Sequence, residues 1–384
     1  MIYTGIDYHK RYSVACTLDA QGQQLHEARI DGNVPAAFAA YFKKLGTPSE
    51  VVIEACWNWG VLYDLLEDTA GVAKVVLSHP AKNRIIADAQ IKNDRIDAKA
   101  LATLLRGDFV ARVHVPSRDV RQRKNIVRQR LWLARVRTMI RNRIHCVIDR
   151  HPLLERPAVK DIFSKQGKAW MKRAPLPPAD RTLLDDDLAI HALLQTQVDA
   201  LEKTIVADNA ANPLAVRLQT LPGVGKILAP VLALEIDQIE RFARADKLCA
   251  YAGLVPTTHA SGGKISHGRM LPFCTRWLKW AFIEAAWVAV GCSDYFGTFY
   301  RKQRLRGKGA NDAIAIVASR MATITWQMLA HERDYTPERP GIVPLARPAP
   351  ALAEASPAAP APTRAAVPTI GSPAGAIPFP GRSR

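Results

Sequence analysis

The first 110 residues of this chain change hydrophobic period in an order that leaves few folds open. Strand-like runs occur near 2–7, 13–19 and 24–30, and Gln21-Gly22 supplies the turn between the second and third. A helical period follows near 35–45, then a strand at 51–54, a helix near 58–69, a strand at 73–77, and helices near 80–89 and 94–106. Three strands joined by short turns, followed by alternating elements, make a mixed α/β sheet.

Four acids stand at the ends of these elements. Asp7 follows the apolar start Met1-Ile2-Tyr3-Thr4-Gly5-Ile6, and Glu54 ends the run Val51-Val52-Ile53, so each sits where a buried strand emerges. Asp94 and Asp97, three apart at the opening of an apolar-periodic segment, fall on one helical face. A lone pair of that kind more commonly caps a helix or complements its dipole. Together with Asp7 and Glu54, the pair completes a set of four that can converge on one sheet edge. The order of elements and acids resembles the ribonuclease H or RuvC nuclease fold. Its chemistry explains the acids: carboxylates sharing two Mg²⁺ ions about 4 Å apart can stabilise both the attacking and the leaving oxygen at a phosphodiester.

Neighbouring residues carry weaker signals. His9 and Lys10 stand within reach of a phosphate or are simply solvated. Trp57, Asn58 and Trp59 follow Glu54; aromatics beside a helix start usually pack under the sheet, and the other reading is stacking on bases.

Charge narrows the partner. The 384 residues carry a formal net charge of +18, which points to a polyanion, either nucleic acid or an anionic membrane surface. With 48% hydrophobic residues the chain can build real cores, in two or three domains. No run of about 18 apolar residues is expected to span a bilayer, and the start of the chain reaches Asp7 too soon for a signal peptide. Six scattered cysteines without C-x-x-C spacing suggest neither zinc nor disulfides, and a reducing cytoplasm is expected.

Residues 118–150 read as one long helix holding eleven basic residues against Asp119 and Asp149, which supplies half the net charge. Its arginines repeat by sevens as Arg121, Arg128, Arg135 and as Arg123, Arg130, Arg137, giving two stripes. A solvated face normally mixes charges, so near-pure arginine is expected to contact phosphate, whose oxygens match the guanidinium fork. A second helix near 186–209 is expected to pair with it as an antiparallel coiled coil or to form a dimer seam. Pro152–Pro178 shows no regular pattern.

Further on, Leu221-Pro222-Gly223-Val224-Gly225-Lys226 resembles a helix-hairpin-helix turn, in which glycines let backbone N–H groups meet a phosphate. A helix near 226–235, the segment Ser261-Gly262-Gly263-Lys264, an apolar helix through Ile283-Glu284-Ala285-Ala286 and a closing helix near 310–331 follow. On residues alone the Ser-Gly-Gly segment is a flexible turn. Arg301, Lys302, Arg304, Arg306 and Lys308 are expected to form a basic loop that grips nucleic acid. The tail beyond Pro340, rich in proline and alanine, is expected to be disordered.

The combination resembles the DEDD-type insertion-sequence transposases, the insertion-sequence one-hundred-ten family of recombinases guided by a bridge RNA, over nearly all of residues 1–335. It rests on the order and spacing of Gly5-Ile6-Asp7, Ile53-Glu54-Ala55, Lys92-Asn93-Asp94-Arg95-Ile96-Asp97-Ala98, Leu221-Pro222-Gly223-Val224-Gly225, Ala250-Tyr251-Ala252-Gly253-Leu254-Val255-Pro256, Ser261-Gly262 and Glu284-Ala285-Ala286. After Gly268 the chain departs from the basic, glycine-containing turn usual in the family, reading Met270-Leu271-Pro272-Phe273-Cys274-Thr275.

The resemblance implies that Asp7, Glu54, Asp94 and Asp97 hold Mg²⁺ (or Mn²⁺), and that Ser261 forms a phosphoserine link to DNA, with Ser266 as the alternative nucleophile. The implied architecture is a RuvC-like catalytic domain over 1–112, an Arg-rich coiled-coil region over 113–210, a mainly α transposase domain with a helix-hairpin-helix-like element over 211–335, and a tail over 336–384. Implied partners are donor and target DNA, a guide RNA and further copies of the chain, as a dimer or tetramer, in the cytoplasm at the nucleoid. Candidate nucleic-acid contacts are Lys10, Arg121, Arg128, Arg130, Arg135, Arg137, Gly223, Gly225, Lys226, Lys264, Arg304 and Lys308. Two other readings stay open at this stage: a RuvC-type nuclease that uses metal-bound water, and a binding scaffold whose acids are only caps. The scaffold is disfavoured because clustered negative charge gains nothing at an anionic ligand.

Overall fold

The computed structural model describes residues 1–83, 93–261, 264–272 and 274–337. Lys92, Gly262-Gly263, the second half of the helix expected near 80–89 and nearly all of the expected disordered tail lie outside the described residues.

The chain opens with β1 (Ile2–Tyr8), β2 (Tyr12–Leu18) and β3 (Gln24–Asp31), then α1 (Pro35–Leu45), β4 (Ser49–Glu54), α2 (Trp59–Glu67), β5 (Val72–Ser78), the short α3 (Pro80–Asn83) and α4 (Asp94–Arg106). The five strands form one mixed sheet in the order β3-β2-β1-β4-β5, with β1 antiparallel to β2 and parallel to β4. Because side chains alternate across a strand, Ile6 and Ile53 face one way, against Phe38, Phe42, Leu62 and Leu66 of α1 and α2. Val52 and Cys16 face the other way, against α4. The buried hydroxyls of the first face satisfy one another: Thr4 Oγ1 lies 2.7 Å from both Thr17 Oγ1 and Ser49 Oγ.

Next come α5 (Arg118–Asp149), α6 (Lys165–Arg173) and α7 (Pro178–Asn209). Helix α7 begins eight residues earlier than the apolar period suggests, because Pro178 stands in its first turn, where its missing N–H costs nothing. The segment 152–178, which shows no regular pattern in the sequence, holds α6, capped by Ser164 Oγ accepting from the Gly167 N–H at 3.2 Å. Helices α5 and α7 run antiparallel, since Arg130 meets Glu202, Arg137 meets Gln195, Arg143 meets Asp187 and Arg150 meets Asp180. At the far end of this pair Ile144, Ile148, Phe163, Met171 and Leu184 form a small core.

The remainder is α8 (Pro213–Leu218), α9 (Leu228–Ile236), a 3₁₀ turn at Ile239–Arg241, α10 (Ala245–Tyr251), β6 (Pro256–Ser261), β7 (Lys264–Met270), α11 (Arg276–Cys292), α12 (Asp294–Leu305) and α13 (Ala310–Ala330). Its core also takes in Val127 and Leu131 of α5 and Ile205 of α7, so the base of the helical pair and the C-terminal helices share one apolar interior. Strands β6 and β7 pair antiparallel, with Ser261 opposite Lys264 at their ends. Arg301, Lys302 and Arg304 lie on α12, so the expected basic loop shrinks to the turn after Leu305.

Helix α13 is long and apolar enough, by length and mean hydropathy, to cross a membrane, although Asp312, Arg320 and Gln327 interrupt it so that it is no unbroken apolar run. In the structure its Ile314, Val317, Met321 and Met328 are buried in the C-terminal core.

Candidate active site

The site is built on the edge where β1 and β4 end. The register pairs Ile6 with Ile53, so the next residues, Asp7 and Glu54, stand side by side at the ends of adjacent parallel strands. Both are two residues past positions that face α4, Gly5 and Val52, and alternation sends their side chains to that same face. Gly5 is what lets the helix come close: a Cβ there would lie 2.1 Å from the Ala98 carbonyl oxygen and 2.4 Å from the Ala102 nitrogen. Helix α4 is started by Asn93, whose Oδ1 accepts from the Arg95 N–H at 3.0 Å, which places Asp94 and Asp97 in its first turn above the strand ends.

The structure thus brings the predicted acids to one edge, with two additions. His9 Nε2 donates to Asp7 Oδ2 at 3.0 Å and lies 3.3 Å from Asp94 Oδ2. The Tyr12 hydroxyl donates to Asp94 Oδ2 at 2.9 Å, with its ring stacked on His9 at 4.7 Å. Ligand atoms of Asp7, His9 and Asp94 all lie within 4.8 Å of one another. Glu54 is set beside Asp7 by the register, and Asp97 acts on it electrostatically, but neither joins that close group in the conformation described. The Asp7 carboxyl is pushed above the usual carboxylate range, first by burial and then by Asp94 and Asp97, while His9 pulls it back. Carboxylate oxygens crowded in this way are a donor set suited to a hard divalent cation.

Tyr12 carries no local mark of a site because it belongs to the next strand; only the β1–β2 hairpin folds it back onto His9 and Asp94. Trp57 corrects the expectation of packing under the sheet, since it is 83% exposed while Trp59 packs against the core. Lys10 is exposed in the β1–β2 turn.

The other candidates are dispersed. Ser261 ends β6, exposed and opposite Lys264, on a two-stranded sheet separate from the five-stranded one; Ser266, also exposed, pairs with His259. Gly223 has φ +83, and a Cβ there would lie 2.2 Å from the Ala285 carbonyl oxygen on α11, so helix packing already requires this glycine. Gly225 has open space around it, and Lys226 is exposed.

The arginines of α5 are engaged by protein acceptors. Arg121 pairs with Asp64 of α2, Arg128 with Glu235 of α9 at 2.6 Å, Arg130 with Glu202, and Arg137 with Gln195 at 2.8 Å. Arg135 is exposed and also interacts within the chain. The heptad repeat of arginine therefore meets acids on α2, α7 and α9 that the local sequence does not show. Arg304, Arg306 and Lys308, by contrast, are exposed around the α12–α13 turn, where Arg304 donates to the Lys308 carbonyl at 3.3 Å.

Comparison with known proteins fits this geometry. A DEDD-type transposase family model matches residues 4–152, and the model of the IS116/IS110/IS902 transposase family matches residues 215–301. A probable family 20 transposase of Pseudomonas aeruginosa is 24% identical over 87% of this chain and 94% of its own length. The transposase for insertion sequence element IS1111A of Coxiella burnetii is 24% identical over 86% of the chain and 90% of its own. An insertion element IS110 protein of Streptomyces coelicolor is 31% identical over 54% of this chain, a match that spans 51% of that relative. With its acids on the edge of a mixed sheet inside the first matched region, and helices α8 to α11 of its C-terminal core inside the second, the chain belongs to the IS116/IS110/IS902 family of transposases.

Proposed function

We propose that the protein cuts and rejoins the DNA strands of an insertion sequence, with Asp7, Glu54, Asp94 and Asp97 holding Mg²⁺ or Mn²⁺ and Ser261 as the nucleophile. The observation that supports this most is the convergence of Asp7, Asp94 and His9 beside Glu54 and Asp97 on one sheet edge. When bound, the metal would withdraw charge from the scissile phosphate. Asp7, Glu54, Asp94 and Asp97 supply its ligands, and His9 and Tyr12 hold the carboxylates in place.

In the reaction the Ser261 hydroxyl loses its proton to a base, its Oγ bonds to phosphorus, and the bond from phosphorus to the neighbouring nucleotide's oxygen breaks; that oxygen takes up a proton. The phosphoserine ester keeps the bond energy, so a strand hydroxyl can reverse the step and rejoin DNA. Ser261 stands on a different sheet from the acids, which suits a site completed when copies of the chain assemble as a dimer or tetramer.

DNA phosphates are assigned to Lys10, Lys226, Lys264, Arg304 and Lys308, with the turn at Gly223 and Gly225 acting as a helix-hairpin-helix element; the α5–α7 pair serves as a coiled coil. A structured guide RNA, and action at the bacterial nucleoid, complete the reading by likeness to the family.

The test is a denaturing gel of parent, Ser261→Ala, Ser266→Ala and Asp7→Asn incubated with insertion-sequence DNA and guide. Covalent adducts with the parent and Ser266→Ala, and neither adducts nor nicks with Ser261→Ala and Asp7→Asn, are expected. Nicking by Ser261→Ala would replace the serine with water and favour a RuvC-type nuclease. Loss in Ser266→Ala alone would move the nucleophile.

A further inference from the structure

Trp57 is a large apolar side chain placed in water beside the acidic edge. It is 83% exposed, and Val61, in the first turn of α2, is 67% exposed. Its loop is held on both sides. The Ala55 N–H donates to the Ser78 carbonyl at 2.9 Å, the Cys56 N–H to the Glu54 carbonyl at 2.9 Å, the Asn58 side-chain N–H to the Tyr8 hydroxyl at 2.9 Å, and the Val61 N–H to the Asn58 carbonyl at 3.1 Å. The Cys56 thiol donates to Asn58 Oδ1 at 3.3 Å. An exposed indole on a tethered loop loses little conformational freedom on binding, which is what an anchor residue requires.

Position selects the ligand. Trp57 lies three positions after Glu54, so their Cα atoms are at most about 11 Å apart, roughly three base steps at about 3.4 Å each. A strand whose phosphate sits at the acids therefore carries a base within reach of the indole. Exposed Lys10 and Arg11, in the β1–β2 turn on the same edge of the sheet, match the strand's charge. Inside a duplex both faces of a base are covered by its neighbours, so an indole can cover one only where the stack is opened, as apolar wedges do between base steps.

We propose that Trp57, supported by Val61, stacks on an unpaired DNA base beside the scissile phosphate and holds the strand open there. It is a positioning residue, and the proposal rests on the assignment of the acids as the DNA-cutting site. Strand exchange needs such a state, because bases must leave one partner before pairing with another.

The test is binding without divalent metal, in EDTA, so that it does not depend on cutting. The probe is a duplex carrying one unpaired fluorescent adenine analogue, compared with the same duplex fully paired. The parent is expected to quench the analogue and to prefer the unpaired duplex. Trp57→Ala should lose roughly tenfold in affinity for that duplex and none for the paired one, and Trp57→Phe should keep most of the preference. Equal affinities for parent and Trp57→Ala, equal loss on both duplexes, or a change of oligomeric state with DNA binding intact would overturn the proposal. If instead Asp7→Asn still cuts while the Trp57 result holds, the metal assignment fails and the stacking role stands.

Discussion

Gly5 of β1 and Ala98 of α4 approach so closely that a Cβ on Gly5 would stand 2.1 Å from the Ala98 carbonyl oxygen. The contact is with helix backbone, which cannot turn aside as a side chain can. It is also what carries Asp94 and Asp97 to Asp7, because α4 can rest on β1 only where the strand has no side chain.

Gly5→Ala is therefore expected to push α4 off the sheet and to destabilise the fold by about 1–3 kcal/mol. Strand cutting should fall much further than DNA affinity. Urea unfolding and a cleavage assay on the same preparation check this; a variant with full activity would show that α4 does not set the site's geometry.

Asp7→Asn is expected to raise the thermal stability of the metal-free protein while abolishing cutting. Burial and the nearby Asp94 and Asp97 hold the folded Asp7 carboxyl above its unfolded value, so the stability linked to its protonated form is present at low pH and lost as pH rises through the raised value. The gain from Asn should accordingly be largest near neutral pH and shrink on acidification. Melting curves of both proteins across that range decide it, and a variant less stable than the parent at neutral pH would contradict the reading.

Glu235→Ala should cost about 3–5 kcal/mol, because it strands a buried cation. Lys124 and Glu235 lie 3.7 Å apart with side chains 9% and 5% exposed, and burial holds the Lys124 amine below its usual range. Arg128 closes on the same carboxylate. Denaturant titration reads the loss; a change under about 1 kcal/mol would mean that the cluster relaxes into solvent.

Neutralising Arg304 and Lys308 should flatten the dependence of duplex affinity on salt by about 0.9 for each phosphate left without its cation. The same change at Arg130 and Arg137 should leave the slope unaltered, since both side chains are held by α7. Binding curves at several salt concentrations separate the two sets. A flatter slope from the α5 variants would show that their ion pairs open to take DNA.

How much of the fold and the site is legible in the sequence follows the range of the forces involved. The strands and helices of residues 1–83 and 94–106 follow the hydrophobic period closely, because alternation and the 3.6-residue repeat are local. The four acids stand out because each ends or opens such an element. Sequence also suffices for α5, whose length and charge are written in one stretch.

What α5 does with its arginines is decided only in three dimensions. Their partners, Asp64, Glu235 and Glu202, lie on other elements far along the chain, and a charge pattern read alone cannot tell a phosphate ligand from half of an intramolecular ion pair. Gly223 is similar: a glycine that looks ready for phosphate is needed where two helices touch. His9 and Tyr12 join Asp94 because the β1–β2 hairpin and α4 meet over one strand edge, and Trp57 is exposed because its loop is tethered away from the core. The sequence determined which elements form and which acids stand at their ends; contact between distant elements determined which charges are neutralised and which remain for a ligand, because a side chain's partner is set by proximity in space and not along the chain.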